Sequence, residues 1–322
     1  MTREEIISML GADWSSYEAL VRDALHSDID LLNEVNSSLL ANSGKQLRPM
    51  LVLLIARACG GIRPDTLKYA AAAELLHNAT LIHDDVADES SLRRGRATIS
   101  ALMGPSAAVL VGDFWLSKAV GMVVGTTHQN QVIPLFAHTL SDLAEGEMLQ
   151  LQKASSADTT EEDYLRIVYC KTASLFESAC CSAALSADAS PELLEAARHY
   201  AVATGIAFQI RDDIFDYRDD DGIGKPVGID LKERKITMPL LGAFKGVEDD
   251  SRYRQMVLGI PEHPENCAEL HRLVQENGGV EYAMRRLDDF IGEALDALEV
   301  FPPSTEREIL ASLARYNAIR KK

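Results

Sequence analysis

The sequence predicts an all-α fold built as a bundle of long helices, and three observations predict it. Apolar residues recur at helical spacing in long stretches near 13–41, 46–60, 65–88, 105–124, 129–153, 160–186 and 190–217, with shorter ones near 237–258 and 265–320. No alternating apolar–polar run is long enough to build a sheet. Two clusters of one design, Asp84-Asp85-Val86-Ala87-Asp88 and Asp212-Asp213-Ile214-Phe215-Asp216, end two of these apolar stretches.

The elements follow in order. The first two stretches lead to Gly60-Gly61, which fits a helix break. The 65–88 stretch carries the first acidic cluster. Pro105 suits an early turn of the 105–124 helix, and Pro191 does the same for 190–217, which carries the second cluster. The run Asp219-Asp220-Asp221-Gly222 reads as a solvated loop. Gly278-Gly279 marks a break within 265–320. There is no internal repeat or low-complexity linker. The C-terminal third carries no assignable motif and reads as packing.

In a helix, positions i and i+4 share a face with Cβ atoms roughly 5–6 Å apart. Asp84 therefore projects with Asp88, and Asp212 with Asp216. Negative charge gathered on an apolar helix face is unfavourable without a cation. The simplest account is two acidic faces that oppose each other in the bundle and hold divalent metal. The ligands are hard carboxylate oxygens with no Cys or second His at ligand spacing, which favours Mg²⁺ or Mn²⁺ over zinc. One cluster alone would equally fit a solvated charged face or a structural Ca²⁺, but no EF-hand pattern is present.

Basic residues flank these acids. They include Arg93-Arg94 after the first cluster, Lys225 and Lys235 after the second, Lys45 and Arg48 upstream, and Lys171-Thr172 between them. Arg forks bind phosphate oxygens bidentately and Lys adds a mobile point charge. Metal with Arg and Lys around one cavity is what binding and ionising a diphosphate requires. None of the lysine segments has Walker spacing.

Taken together, six segments carry a resemblance. They are G-K-Q-L-R-P at 44–49, H-N-A-T-L-I-H-D-D-V-A-D-E-S-S-L-R-R-G at 77–95, L-V-G-D-F at 110–114, K-T-A at 171–173, F-Q-I-R-D-D-I-F-D at 208–216 and G-K-P-V-G-I-D-L at 224–231. In this combination and order the chain resembles the trans-isoprenyl diphosphate synthases, the polyprenyl synthetase family, and within it the bacterial octaprenyl-type enzymes. The resemblance implies one isoprenoid-synthase domain over residues 1–322, with helices around a central cavity, acting as a homodimer; a cytoplasmic location is expected from the lack of a signal-peptide pattern at Met1-Thr2-Arg3-Glu4-Glu5. It implies Mg²⁺-dependent, head-to-tail condensation of isopentenyl diphosphate with an allylic diphosphate, giving a longer all-trans chain by ionisation, condensation and elimination.

The implied roles can be placed residue by residue. Asp84, Asp88 and Asp212 would be direct metal ligands, with Asp85, Asp213 and Asp216 ligating through water or in support. Arg93, Lys171, Gln209 and Lys225 would contact the allylic diphosphate, with Lys235 nearby. Gly44, Lys45, Arg48, His77 and Arg94 would hold isopentenyl diphosphate, and Thr172 and Phe208 would line the reacting centre. The departing diphosphate would take the proton.

The chain departs from the family pattern at Arg234, where many members have Gly before the Lys; Arg234 either alters that loop or points to solvent. By resemblance, product length is set by what blocks the cavity below the first cluster. Ala79 and Thr80 precede Asp84 by about a turn and are small, and Ala71, Ala72 and Ala73 follow further up. This predicts a deep channel and a long product, although the 71–73 run also fits plain close packing. Trp115, Leu116 and Met122 are candidate floor residues. His83 is out of phase with Asp84 and Asp88 and is assigned to packing or hydrogen bonding. Glu145-Gly146-Glu147-Met148, with Gln150 and Gln152, lies on a helix expected to face the site.

Composition agrees. At 47% hydrophobic and 25% charged, the chain matches a soluble globular protein. A net charge of −17 argues against nucleic acid and against a broad anionic membrane patch as partners. No run reaches the ~18 uninterrupted apolar residues of a spanning helix, so no stable membrane insertion is expected. The five cysteines lack C-x-x-C spacing and read as reduced thiols. Three competitors differ in sequence terms. A class I terpenoid cyclase would pair one acidic motif with an N-S-E type motif, which is absent; an inert partner subunit would have lost one or both clusters; a Ca²⁺-binding bundle would leave the basic residues unexplained.

Overall fold

The computed structural model describes residues 2–42, 44–217 and 228–319, the side chains of 317–319 apart. Regular structure among the described residues is helical, except for one two-residue hairpin that pairs Leu92–Arg93 with Arg96–Ala97. The chain packs as two compact units. The first comprises Met1–Phe136, Ser178–Ala197 and Phe301–Leu310, and the second Ala137–Glu177, Arg198–Val300 and Ala311–Lys322.

In the first unit, the expected 13–41 helix is two helices, Ala12–Ala24 and Asp30–Ala41. Ser27 explains the break. Its N–H donates to Asn33 Oδ1 at 3.0 Å and its carbonyl accepts from Asn33 Nδ2 at 2.7 Å, so side-chain bonds replace helical ones. An additional helix, Arg3–Leu10, precedes them and opens on a Thr2/Glu5 capping box, a T-x-x-E signal present in the sequence. Helix Leu47–Ala58 is apolar all round, and Pro49 to Ala56 are all buried. It packs on Pro64–Ala87, where Ala70 to Ala73 are fully buried and small enough for close approach. Pro64–Ala87 packs most extensively on Pro105–Val123.

Helix Pro105–Val123 is, among the described residues, the one helix long and apolar enough to cross a membrane by length and composition; Asp113 and Lys118 interrupt its apolar run. It leaves Val109, Leu110 and Val120 exposed.

The second unit has its core around Ile206, Ile210 and Ile214 of helix Pro191–Phe215, with Met238, Leu240, Leu287 and Ile291. The expected 160–186 helix is interrupted: Glu161–Val168 passes into a π-turn, Tyr169–Ala173, before Ser174–Ser186. The expected 237–258 stretch is two helices, Met238–Phe244 and Ser251–Leu258; Asp249 Oδ1 accepts the Ser251 N–H at 2.9 Å and starts the second. The 265–320 stretch is three, Asn266–Glu276, Gly279–Leu298 and Thr305–Ile319. Gly278, at φ 65°, supplies the first break, as its residue type predicted.

Arg234 adopts φ 58°, the left-handed conformation that a glycine takes without strain. The loop is therefore kept, with Lys235 N–H on the Asp230 carbonyl at 2.8 Å, and the strain sits in the backbone at Arg234. Arg234→Gly is expected to raise unfolding free energy by roughly 0.5–1 kcal/mol in urea titration, because the left-handed penalty is relieved. An unchanged or lowered midpoint would mean that the guanidinium makes contacts worth as much.

Candidate active site

The first unit presents the first acidic cluster with its basic partners. Helix Pro64–Ala87 places Asp84 and Asp88 one turn apart, with the Asp88 N–H on the Asp84 carbonyl at 2.8 Å. Both are exposed. Asp85 is buried and accepts Arg93 Nε at 2.7 Å. That separates the three acids by role: two face outward, and the third fixes an arginine.

The hairpin sets the arginines. Arg94 and Gly95 have φ of 53° and 76° between the two strands, the pair of left-handed residues a tight hairpin turn needs. The Arg94 guanidinium lies against Gly44, where a Cβ would stand 2.2 Å from Nη1, and Nη1 reaches the Asn42 carbonyl at 3.5 Å. Gly44 is thus a seat for Arg94. Burial pulls the Arg48 guanidinium down to about 10, opposed by Glu74. Burial, then Arg48, Arg94 and Arg93, push His77 well below the usual imidazole range, which favours the neutral ring. Glu74, which the sequence reading passed over, is buried and raised by that burial, with Arg48 and the Asn78 amide, 3.2 Å away, acting against the rise. Lys45 is exposed.

Ala79 is buried, and the Thr80 hydroxyl is turned into its own helix, donating to the His77 carbonyl at 2.9 Å. Trp115 is buried, its Nε1 donating to Asn36 Oδ1 at 2.8 Å. His83 lies against Gly112, with Nε2 3.3 Å from the Val109 carbonyl and 3.4 Å from Asp113.

The second unit gathers the second set around a cavity of about 190 Å³, whose lining includes Tyr164, Lys171, Thr172, Gln209, Asp213, Asp230 and Lys235. Lys171 and Thr172 sit in the π-turn, a geometry often found where function requires it. Two glycines make room for that turn. A Cβ on Gly146 would meet Cys170 Cβ at 2.6 Å, and one on Gly205 would meet Ala173 Cα at 2.7 Å. Lys171 Nζ pairs with Glu147 and donates to Gln150 Oε1 at 3.1 Å, which gives the Glu145–Gln152 segment its role.

A hydrogen-bonded chain runs on from the π-turn. Thr172 Oγ1 donates to Gln209 Oε1 at 3.2 Å, Gln209 Nε2 to Asp213 Oδ1 at 2.9 Å, and Tyr164 Oη to Asp213 Oδ2 at 2.6 Å. Burial pushes Asp213 up to about 8, and the neighbouring Asp230 adds to it. Asp230 is itself raised to about 6 by burial and Asp216, against the pull of Lys235. Asp216 accepts the N–H groups of Ile229 and Asp230 at 3.1 and 3.0 Å and so caps the short helix Ile229–Lys232. Lys235 pairs with Glu233. Phe208 is half-buried, its ring 6.3 Å from that of Phe176, and Asp212 is half-buried one position before Asp213. Lys225 and the 219–222 run lie outside the described residues.

Among the described residues, no three His, Cys, Asp or Glu groups are drawn together as a ready-made metal cluster. The donor set still fits a hard divalent cation: Asp84 and Asp88 are exposed carboxylates one turn apart, hard oxygen donors of the kind such an ion takes. Tyr164 and Glu74 were not found from the sequence, while Glu147, Gln150 and Asp230 were picked out there without a role. Y-x-x-x-x-x-x-K-T and G-E-x-x-Q were visible in the sequence, but their partners were not.

Comparison with known proteins follows from this geometry. The profile of the polyprenyl synthetase family matches residues 29–276. An all-trans-nonaprenyl-diphosphate synthase (geranyl-diphosphate specific) of Rhodobacter capsulatus is 38% identical over 318 residues, 97% of this chain and 96% of that protein. Among solved structures, a decaprenyl diphosphate synthase from Rhodobacter capsulatus superposes with a TM-score of 0.92 at 34% identity, over the whole of both chains. A polyprenyl synthase from Caulobacter crescentus CB15, complexed with calcium and isoprenyl diphosphate, superposes with a TM-score of 0.89 at 32% identity, covering 100% of this chain and 98% of that one.

Proposed function

The chain belongs to the polyprenyl synthetase family, and from that premise we propose that it joins isopentenyl diphosphate head-to-tail to an allylic diphosphate, releasing diphosphate and a long all-trans polyprenyl diphosphate. The observation that carries the reading is the repeated acidic motif, each copy with one member beside cationic side chains in its own unit: Asp85 pairs with Arg93, and Asp213 lines one cavity with Lys171 and Lys235.

The family uses divalent metal, and Mg²⁺ is the ion proposed here, held by Asp84, Asp88, Asp212 and Asp216. When bound, it would neutralise charge developing on the leaving diphosphate. The chain's own residues do the rest. Arg93, Lys171, Gln209 and Lys225, with Lys235 nearby, hold the allylic diphosphate as its C–O bond breaks. Gly44, Lys45, Arg48, His77 and Arg94 hold isopentenyl diphosphate, whose double bond attacks the allylic cation. His77, kept neutral by its surroundings, contributes hydrogen bonds rather than charge. Thr172 and Phe208 line the reacting centre and limit access of water. The proton lost in the final step goes to the departed diphosphate.

The family match through both units supports one synthase domain over residues 1–322. The exposed Val109, Leu110 and Val120 support a homodimer, since a second copy would cover them. A cytoplasmic location is proposed with it. Small residues at Ala79 and Thr80 support a long product.

The test is turnover with Mg²⁺, labelled isopentenyl diphosphate and farnesyl diphosphate, with product length read by chromatography. Wild type is expected to pass C20, and Ala79→Phe to stop at a shorter product while still condensing. No elongation with any primer would sink the synthase reading. An Ala79→Phe product as long as the wild type's would move the channel elsewhere.

A further inference from the structure

Helix Arg3–Leu10 contributes no residue to the diphosphate sites, yet its first residue reaches the loop that does. Glu5 N–H donates to Thr2 Oγ1 at 3.2 Å and Thr2 N–H to Glu5 Oε2 at 2.7 Å, which fixes Arg3 at the first helical position. From there Arg3 Nε donates to the Lys45 carbonyl at 3.2 Å, and Nη2 donates to Gln46 Oε1 at 2.7 Å. Gln46 is itself left-handed, with φ 50° and ψ 43°, a conformation that a side chain disfavours and that surrounding bonds must hold. Its Nε2 donates onward to Tyr17 Oη at 3.4 Å. The Arg3 guanidinium lies 5.9 Å from the centroid of the Trp14 ring, which packs on Tyr17 at 5.0 Å.

The strained turn lies between two of the residues proposed for isopentenyl diphosphate. Lys45 precedes Gln46, and Arg48 stands two residues after it, in the first turn of helix Leu47–Ala58. We propose that Arg3 is a positioning residue for the isopentenyl diphosphate site: its two-point grip on the Lys45 carbonyl and the Gln46 amide holds the left-handed turn that aims Lys45 and Arg48. This rests on the assignment of that site above. The grip is separate from what docks the N-terminal helix, because Arg57 holds the helix's other end, with Nη1 on the Met9 carbonyl at 3.0 Å and Nη2 on the Leu10 carbonyl at 2.8 Å. The consequence is selective. Losing Arg3 leaves the helix docked and the allylic groups untouched, but frees the turn.

Steady-state kinetics of Arg3→Ala, Arg3→Lys and Gln46→Ala, with thermal midpoints, test this. Arg3→Ala is expected to raise KM for isopentenyl diphosphate about tenfold, with kcat, the allylic KM and the thermal midpoint nearly unchanged. Arg3→Lys, able to reach one acceptor but not fork to both, should recover part of the loss. Gln46→Ala should show the same split, and the double variant should be no worse than the worse single one, because both act through one turn. Unchanged KM in Arg3→Ala would overturn the proposal, as would an equal rise in both KM values with a lowered midpoint. A wild type that fails to elongate would instead overturn the synthase reading; a wild type that elongates beside an unaffected Arg3→Ala would overturn only this one.

Discussion

Asp84→Ala is expected to lower turnover by at least about a thousandfold, the scale on which loss of a group stabilising transition-state charge is felt, while the helical signal and thermal midpoint stay close to wild type. The second half follows from position. Asp84 is exposed, in the last turn of helix Pro64–Ala87, and alanine is the best helix former, so no packing is lost. The first half follows from charge. A diphosphate carrying roughly three negative charges cannot approach bare carboxylates, and a metal turns that repulsion into a clamp. Asp85→Ala should behave differently. Its carboxylate is buried and paired with Arg93 at 2.7 Å, so its loss should lower stability as well as activity. Near-wild-type turnover in Asp84→Ala would refute the metal assignment for the first cluster.

Gly205→Val is the second large effect, and it acts through packing. A Cβ at 205 would stand 2.7 Å from Ala173 Cα, 2.9 Å from its Cβ and 3.4 Å from its nitrogen. Two of these are backbone atoms, so no flexible side-chain end can yield. Helix Pro191–Phe215 would have to move off the π-turn, at a cost of about 1–3 kcal/mol or more for overpacking. Movement there also breaks the 3.2 Å bond from Thr172 to Gln209 and shifts Lys171. A lowered midpoint with a loss of kcat/KM of about a hundredfold is expected. Gly292→Ala is the control, because a Cβ there meets nothing within 4 Å. A Gly205→Val enzyme that melts and turns over like wild type would show that the interface is softer than its distances imply.

Much of this was legible in the sequence because it depends on local spacing. The two acidic clusters, the Pro-opened helices and the Gly278 break all follow from rules spanning a few residues. The 13–41 stretch was misread as one helix because Leu25 to Ile29 keep apolar residues at both ends, while the break lies in Asn33 bonding back to Ser27. The π-turn escaped for a different reason. Tyr169 to Ala173 has no local oddity; the cause sits at Gly146 and Gly205, far along the chain. Glu74 escaped likewise, since an acid in an apolar helix reads as surface until Arg48 is known to lie beside it. Arg234 was visible as a departure, but its left-handed backbone was not.

The threading of the two units has a consequence for biosynthesis. The first unit takes its opening residues from the start of the chain but closes only with Phe301–Leu310, where Phe301, Ile309 and Leu310 are buried. The second likewise draws on Ala311 onward, with Ala314 buried. A ribosome adding about 5–20 residues per second must therefore expose unfinished apolar surface on both units for many seconds. Neither core can seal until residue 310 or beyond has left the exit tunnel. Truncations that spare every acidic and basic side chain of the site should still be recovered as aggregate, in proportion to how much of that late segment they remove.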